Sequence, residues 1–307
     1  MGKVKPKTFL SRARARKRDY FYTQMVDIEK ELPYYAELLR GGVVFCNCGD
    51  SYESNFFKYF RSNFNSLGLK KLVATSYSED GGGLTFDGRR NTAHKIEVTQ
   101  EGEYAQELLG NGDYASEECV ELLGQSDFVI TNPPFSKLGE YMSMLLTSGK
   151  RFLILGSLNA VTYKKIFPHI MGGSLQLGHN NGGTKWYQVP MEYDIKTRSR
   201  LKIENGVKYI SLGNSVWWTN MPVDRQLEGI NLTKEYESEN YPTYDGSDII
   251  EVNRVENIPK NYTGKMGVPI TFLLKHNPQQ FSLVEPGLGG FSINGKPLFA
   301  RLIIRTK

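Results

Sequence analysis

Apolar and polar positions change rhythm twice along this chain. Over 22–40 the apolar residues Met25, Ile28, Leu32, Leu38 and Leu39 recur at helical spacing, which predicts an amphipathic helix re-aimed near Pro33. Short unbroken apolar runs then alternate with helical stretches. Strands are expected at 43–46, 71–76, 127–131 and 151–155, and helices over 55–64, 115–123 and 138–147. A short strand pair is expected around 84–86 and 95–98. Such alternation predicts an α/β fold, a mostly parallel sheet with helices on both faces.

Beyond Met171 the text turns to Gly, Asn, Tyr and Trp with short alternating segments at 208–212 and 216–219, which predicts antiparallel structure closing the sheet. From Glu228 it becomes loop-rich, and a last β-like segment spans 299–305. The resulting division is a basic N-terminal arm at 1–20, a main domain at 21–227 and a smaller C-terminal region at 228–307.

A chain of 307 residues buries a core without covalent staples, and three cysteines, Cys46, Cys48 and Cys119, suit a reducing cytoplasm better than a disulfide framework. The basic start has no apolar core of the signal-peptide kind, and no run approaches the roughly 18 apolar residues of a membrane span, so a soluble cytoplasmic protein with no membrane partner is expected. Charge changes the picture more. Lys3, Lys5, Lys7, Arg12, Arg14, Arg16, Lys17 and Arg18 fall before any acid. Removing these eight from 38 Lys and Arg leaves 30 against 33 Asp and Glu, so the positive balance sits in the arm. An arm of that kind lies along a phosphate backbone or is simply a solvated terminus.

The most informative string is Asn132-Pro133-Pro134-Phe135, directly after an apolar strand. Two successive prolines forbid helix and fix a rigid extended turn at the strand's carboxyl end, the edge where open α/β sheets bind ligands. There the amide oxygen of Asn132 and the carbonyl of Pro133 can accept both protons of one amino group, while Phe135 offers a ring for a planar base. Two acceptors favour the pyramidal amine, whose lone pair then points outward. The ordinary alternative is a strand-ending turn without chemistry.

With these residues in view, the chain resembles the EcoRI-type adenine-specific DNA methyltransferase family, within the Rossmann-like, S-adenosylmethionine-dependent class. The strings that carry the resemblance are 19–24 (DYFYTQ), 45–50 (FCNCGD) with 54–57 (SNFF), Gly112-Asp113 and the Asn132 quartet, with 267–272 (GVPITF) and Ala300-Arg301 further on.

The resemblance implies a Rossmann-like catalytic domain, a C-terminal target-recognition region, S-adenosylmethionine as cofactor without metal, double-stranded DNA as partner and a restriction-modification setting in a prokaryote or phage. It implies catalytic roles for Asn132, Pro133, Pro134 and Phe135 on a flipped adenine. Cofactor contacts carried over are Tyr22, Thr23, Cys46, Asn47, Cys48, Asp50, Asn55, Ser76 and Asp113.

Several roles stay open on the residues alone. Thr23 is equally a helix cap, Gly112-Asp113 an Asx cap for a helix from Ala115, and either Asp50 or Asn47 a partner for the cofactor's amine. Cys46-x-Cys48 departs from the usual glycine-rich loop, and which residue of 75–79 holds the ribose is undecided. Cys46 and Cys48 supply only two ligands, with His94, His169, His179 and His276 scattered, which argues against zinc. Trp217 and Trp218 suit a core better than a DNA surface, where Lys260, Lys265 and Lys275 are further candidates. Competing functions are methylation of an RNA base or of protein glutamine, and a catalytically silent DNA-binding accessory.

Overall fold

The unbroken apolar runs become parallel strands, buried on both faces, in a computed structural model that describes residues 22–47, 54–78, 93–191, 193, 200–224, 228–287 and 291–307. In chain order the first elements are β1 (Tyr22–Thr23), α1 (Met25–Glu31), α2 (Ala36–Leu39), β2 (Val43–Cys46), α3 (Asn55–Ser62), β3 (Lys71–Thr75), β4 (His94–Thr99) and β5 (Gly102–Glu107). Then come α4 (Glu117–Gln125), β6 (Phe128–Thr131), α5 (Leu138–Ser148), β7 (Arg151–Ser157), α6 (Phe167–Met171), β8 (Gln176–Leu177), β9 (Tyr187–Val189), β10 (Arg200–Glu204), β11 (Val207–Ser211) and β12 (Ser215–Thr219). The last are β13 (Ile250–Glu251), β14 (Met266–Pro269), β15 (Phe281–Gly287), β16 (Ser292–Ile293), β17 (Lys296–Pro297) and β18 (Arg301–Thr306).

Two compact units divide the described residues, one drawn from Met1–Gly156 and Gly183–Met221, the other from Ser157–Gly182 and Pro222–Lys307. The chain crosses between them three times, whereas the sequence reading sets a single boundary between a main domain and a C-terminal region, at 227/228.

In the first unit seven strands run in the order β5-β4-β3-β2-β6-β7-β12. β3, β2, β6 and β7 are mutually parallel, and β4 and β5 add antiparallel strands at one edge. From β2 the chain moves one way to β3, and from β6 it moves the other way to β7. Parallel crossovers are right-handed, so α3 and α5 cover opposite faces of this Rossmann-like sheet. Asp127 pins the start of the central pair, its carboxylate accepting from Val43 N at 2.8 Å while its own amide donates to the Val43 carbonyl at 2.9 Å. On α3 the side chains of Phe56, Phe57, Tyr59 and Phe60 are buried, each aromatic of this kind contributing about 1.5–3 kcal/mol.

Three expectations change. The first helix does not begin at Tyr22: Tyr22–Thr23 is a strand paired with β9, and Gln24 precedes α1 without a side-chain cap, so Thr23 is not the helix cap. Residues 84–86 lie outside the described residues, and β4 pairs instead with β3 and β5. The segment beyond Met171 does not simply close the main sheet. β9, β11 and β10 join β1 in a separate four-stranded antiparallel sheet, and within this unit only β12 extends the main one. Trp217 and Trp218 on β12 are fully buried, which removes them as DNA contacts.

The second unit contains the sheet β13-β14-β18-β15 and the hairpin β16–β17. Its centre is charged. Arg301 on β18 donates to Glu251 on β13 through Nη2 at 2.7 Å and Nε at 3.1 Å, and the Tyr244 hydroxyl donates to the second carboxylate oxygen. Both charged side chains are largely hidden, at 13% and 7% exposure, so each relies on the other to offset lost hydration. The family-like strings 267–272 and 300–301 thus lie on or next to the paired strands β14 and β18 of this unit. Arg301→Met leaves the Glu251 carboxylate buried without its counter-charge and should cost about 3–5 kcal/mol by chemical denaturation. Adding Glu251→Gln should restore part of that loss; a single variant as stable as the parent would contradict the pairing.

Candidate active site

Where strand order reverses between β2 and β6, the carboxyl ends of the two strands diverge into a crevice. Cys46 and Asn47 end β2, and Asn132 to Phe135 follow β6. Both cysteines described, Cys46 and Cys119, are buried thiols, and burial pushes the Cys119 thiol upward. Asn47 is 3% exposed, and the hydroxyl of Tyr141, on α5, donates to its side-chain oxygen. Cys48 and Asp50 lie outside the described residues.

The Pro-Pro turn has the geometry its sequence demands. Pro134 is extended at φ −56°, ψ 125°, and a short 3-10 turn, Phe135–Lys137, leads into α5. The Pro134 carbonyl accepts from the Lys137 amide at 3.1 Å, so it is committed to the turn. The Asn132 amide oxygen is shielded from solvent, and the half-buried Phe135 ring meets Tyr187 edge-on, 5.8 Å between centroids at 84°. Tyr187 is fully buried on β9, and burial drives its phenol far above the ordinary range.

β9 also pairs with β1 in a register that sets Thr23 opposite Tyr187. The small antiparallel sheet therefore brings the segment carried over as a cofactor contact beside the wall that supports Phe135. Asn55, at the start of α3, donates from Nδ2 to the Thr23 carbonyl at 2.7 Å. Thr23 is 4% exposed, and its hydroxyl has no hydrogen-bond partner among the described residues. A buried hydroxyl without a partner is costly, so a polar ligand group at this place fits the residues present. Behind β9, Lys185 is 5% exposed and faces Asp27 and Glu31 of α1; burial lowers its affinity for a proton and the two carboxylates oppose that.

The segments that carry Ser76 and Asp113 meet beyond the end of β3. Ser78 N donates to the Asn111 carbonyl at 2.8 Å, and Gly112, at φ +71°, passes so close to the Ser76 carbonyl that any Cβ would strike it. Ser76 Oγ accepts from His94 N at 2.8 Å, which fixes its position. Asp113 does form an Asx turn, with Oδ1 accepting from Ala115 N at 3.0 Å. The helix itself starts at Glu117, and its N-cap is Ser116, not Asp113.

Sequence reasoning missed four side chains that tie these pieces together: Lys137, Tyr114, Tyr141 and Tyr187. Lys137 Nζ lies 3.4 Å from Asp113 Oδ2 and 5.4 Å from the centre of the Tyr114 ring, which packs edge-on against Tyr141 at 5.0 Å. Only Lys137 had a local signal, standing two residues after Phe135. A separate cavity of about 500 Å³, lined by Arg40, Asp127, Lys150 and Arg151, opens at the amino ends of β2, β6 and β7, the wrong edge for this chemistry. Among the described residues no group of three His, Cys, Asp or Glu is placed to hold a metal ion, and no helix is long and apolar enough to cross a membrane.

The lysines considered as DNA contacts are already engaged: Lys260 with Glu235 at 2.7 Å, Lys265 with Glu285 at 3.1 Å and Lys275 with Glu256 at 3.3 Å. The basic arm lies outside the described residues.

Comparison with known proteins shows the family. The family described as adenine-specific methyltransferase EcoRI matches residues 9–306. Type II methyltransferase M.EcoRI of Escherichia coli is 41% identical over 314 residues, covering 97% of this chain and 96% of that protein. Type II methyltransferases M.MpnI of Mycoplasma pneumoniae and M.MgeORF184P of Mycoplasma genitalium are 37% and 36% identical, each covering 90% of this chain and 85% of the relative. No solved structure matches. The family match over nearly the whole chain, on a sheet whose reversal point holds an Asn-Pro-Pro-Phe turn, means that the chain belongs to the EcoRI-type adenine-specific methyltransferase family.

Proposed function

We propose that this chain transfers a methyl group from S-adenosylmethionine to the exocyclic N6 nitrogen of an adenine in double-stranded DNA, as the modification enzyme of a restriction-modification system. The observation that carries the reading is the rigid Asn132–Phe135 turn at the carboxyl edge of β6, with the Asn132 oxygen shielded and the Phe135 ring backed by Tyr187. S-adenosylmethionine supplies a methyl group made electrophilic by its sulfonium.

The protein's share is placement. The target adenine leaves the duplex stack and lies on Phe135. Its amino protons are held by the Asn132 amide oxygen and the Pro133 carbonyl, which aims the nitrogen lone pair at the methyl carbon. Thr23, with its solitary buried hydroxyl, and Asn47, at the end of β2, line the cofactor side together with Tyr22, Cys46 and Asn55. Asp113 accepts from the cofactor's adenine amino group through lone pairs not used by Ala115 and Lys137, since a carboxylate has about four such sites. Ser76, Cys48 and Asp50 complete the set carried by the family resemblance.

Asn132→Ala should keep S-adenosylmethionine binding near that of the parent and lower kcat by at least about 10²-fold, the scale of losing one aimed hydrogen-bonding group. Nucleoside analysis of methyl-labelled plasmid DNA reads this directly; label in RNA or in a glutamine instead of N6-methyladenine would favour a competing substrate. Lys137→Ala should raise KM for S-adenosylmethionine several-fold by releasing Asp113, while the unfolding midpoint barely moves, because an exposed ion pair is worth only about 0–1 kcal/mol. Deleting residues 2–18 should flatten the salt dependence of DNA binding, each lost phosphate contact removing about 0.9 from the log–log slope. An unchanged slope would make the arm a passive tail.

A further inference from the structure

The C-terminal unit carries a hairpin that its own packing holds still and whose tip is left bare. β16 and β17 are joined by Asn294 and Gly295, both at positive φ (52° and 73°), the two-residue turn that matches strand twist. One face of the hairpin is apolar. Phe291, Ile293 and Leu298 pack on Tyr244, Ile249 and Ile303, with Phe291 stacked on Tyr244 at 4.5 Å.

The turn is locked from below by one carboxylate. Asp245 accepts from Ser292 Oγ at 2.6 Å and from the amides of Asn294 and Gly295, each at 2.9 Å. These three bonds hold its pKa below the ordinary carboxylate value, the serine hydroxyl first. Just beyond, Arg301 Nη1 donates to the Phe299 carbonyl at 3.3 Å, so the buried Arg301–Glu251 pair also fixes the strand leaving the hairpin.

What this platform presents is unusual for the unit. Phe299 is 91% exposed, and Asn294, Lys296 and Pro297 are exposed along the same ribbon. Lys260, Lys265 and Lys275 are all paired with glutamates, whereas Lys296 has no ion-pair partner among the described residues. Residues 291–307 contain Lys296, Arg301, Arg305 and Lys307 and no acid. A lone exposed aromatic is ordinary. Carried on a locked ribbon that also exposes an unneutralised cation and a side-chain amide, it gives the segment the composition of a nucleic-acid contact.

We propose that the hairpin of β16–β17 with Phe299 enters a groove of the DNA duplex, Lys296 meeting the phosphate backbone, Asn294 offering its amide to base edges and Phe299 giving flat apolar contact. The major groove, about 12 Å wide, admits a two-stranded ribbon, and the locked turn avoids ordering cost on binding. The proposal rests on DNA being the methyl acceptor.

The test measures methyl transfer to plasmid DNA by the full-length parent, by Lys296→Gln/Phe299→Ala and by Asn294→Gly, which keeps the positive-φ backbone while removing the amide. In the double variant KM for DNA should rise on the order of tenfold and the salt slope should fall by about 1, with KM for S-adenosylmethionine and the melting temperature held. Asn294→Gly should loosen the choice of methylated sequence. Asp245→Ala, which unlocks the turn without altering the presented side chains, should raise KM for DNA in the same direction. If the parent methylates DNA and these variants match it in KM, salt slope and sequence choice, the hairpin has no such role. A parent that fails to methylate DNA would overturn the substrate instead.

Discussion

Two parallel strands whose connections leave in opposite directions cannot both have their carboxyl ends covered by the same crossover. β2 sends its chain toward β3 and β6 sends its chain toward β7, and the handedness of crossovers puts their helices on opposite faces. Everything chemical in the first unit depends on the gap this opens. Asn47 and Asn132 come from distant parts of the sequence and stand at that gap because β6 pairs with β2, a pairing that Asp127 ties at its start.

Around the crevice, positioning is shared between two networks. On one side the Asn47 amide, Tyr141, Tyr114, Lys137 and Asp113 form a contact chain from the end of β2 to the loop before α4. On the other, the small sheet sets Thr23 against Tyr187, and Tyr187 supports Phe135. Residues after β2, before α4 and after β6 are thereby held by the same few aromatic rings. Such rings suit the task because each buries large area at little cost in conformational freedom and still carries a polar tip.

The second unit solves a different problem. It is built from short strands joined by long irregular segments, with a buried ion pair and a tyrosine at its centre. Replacing one member of such a pair strands the other, so β13 and β18, which flank β14, depend on each other through the pair. Arg301 also donates to the Phe299 carbonyl, which ties the strand leaving the hairpin to that centre.

Sequence alone determined the parallel half of the sheet. Strands at 43–46 and 127–131 match the structure within a residue, because a strand buried on both faces must be written as an apolar run. It also determined the rigid turn at Asn132-Pro133-Pro134-Phe135, since two prolines leave the backbone one course. β5 and β10 went unseen, for their exposed faces bury too little to leave a pattern, and β1 is only two residues long. Tertiary structure decided which ordinary residues stand at the site. Lys137 next to Asp113, Tyr187 behind Phe135 and the Gly112 backbone against Ser76 are contacts between segments far apart in the chain, and their meeting depends on strand order and loop closure, which no local composition records.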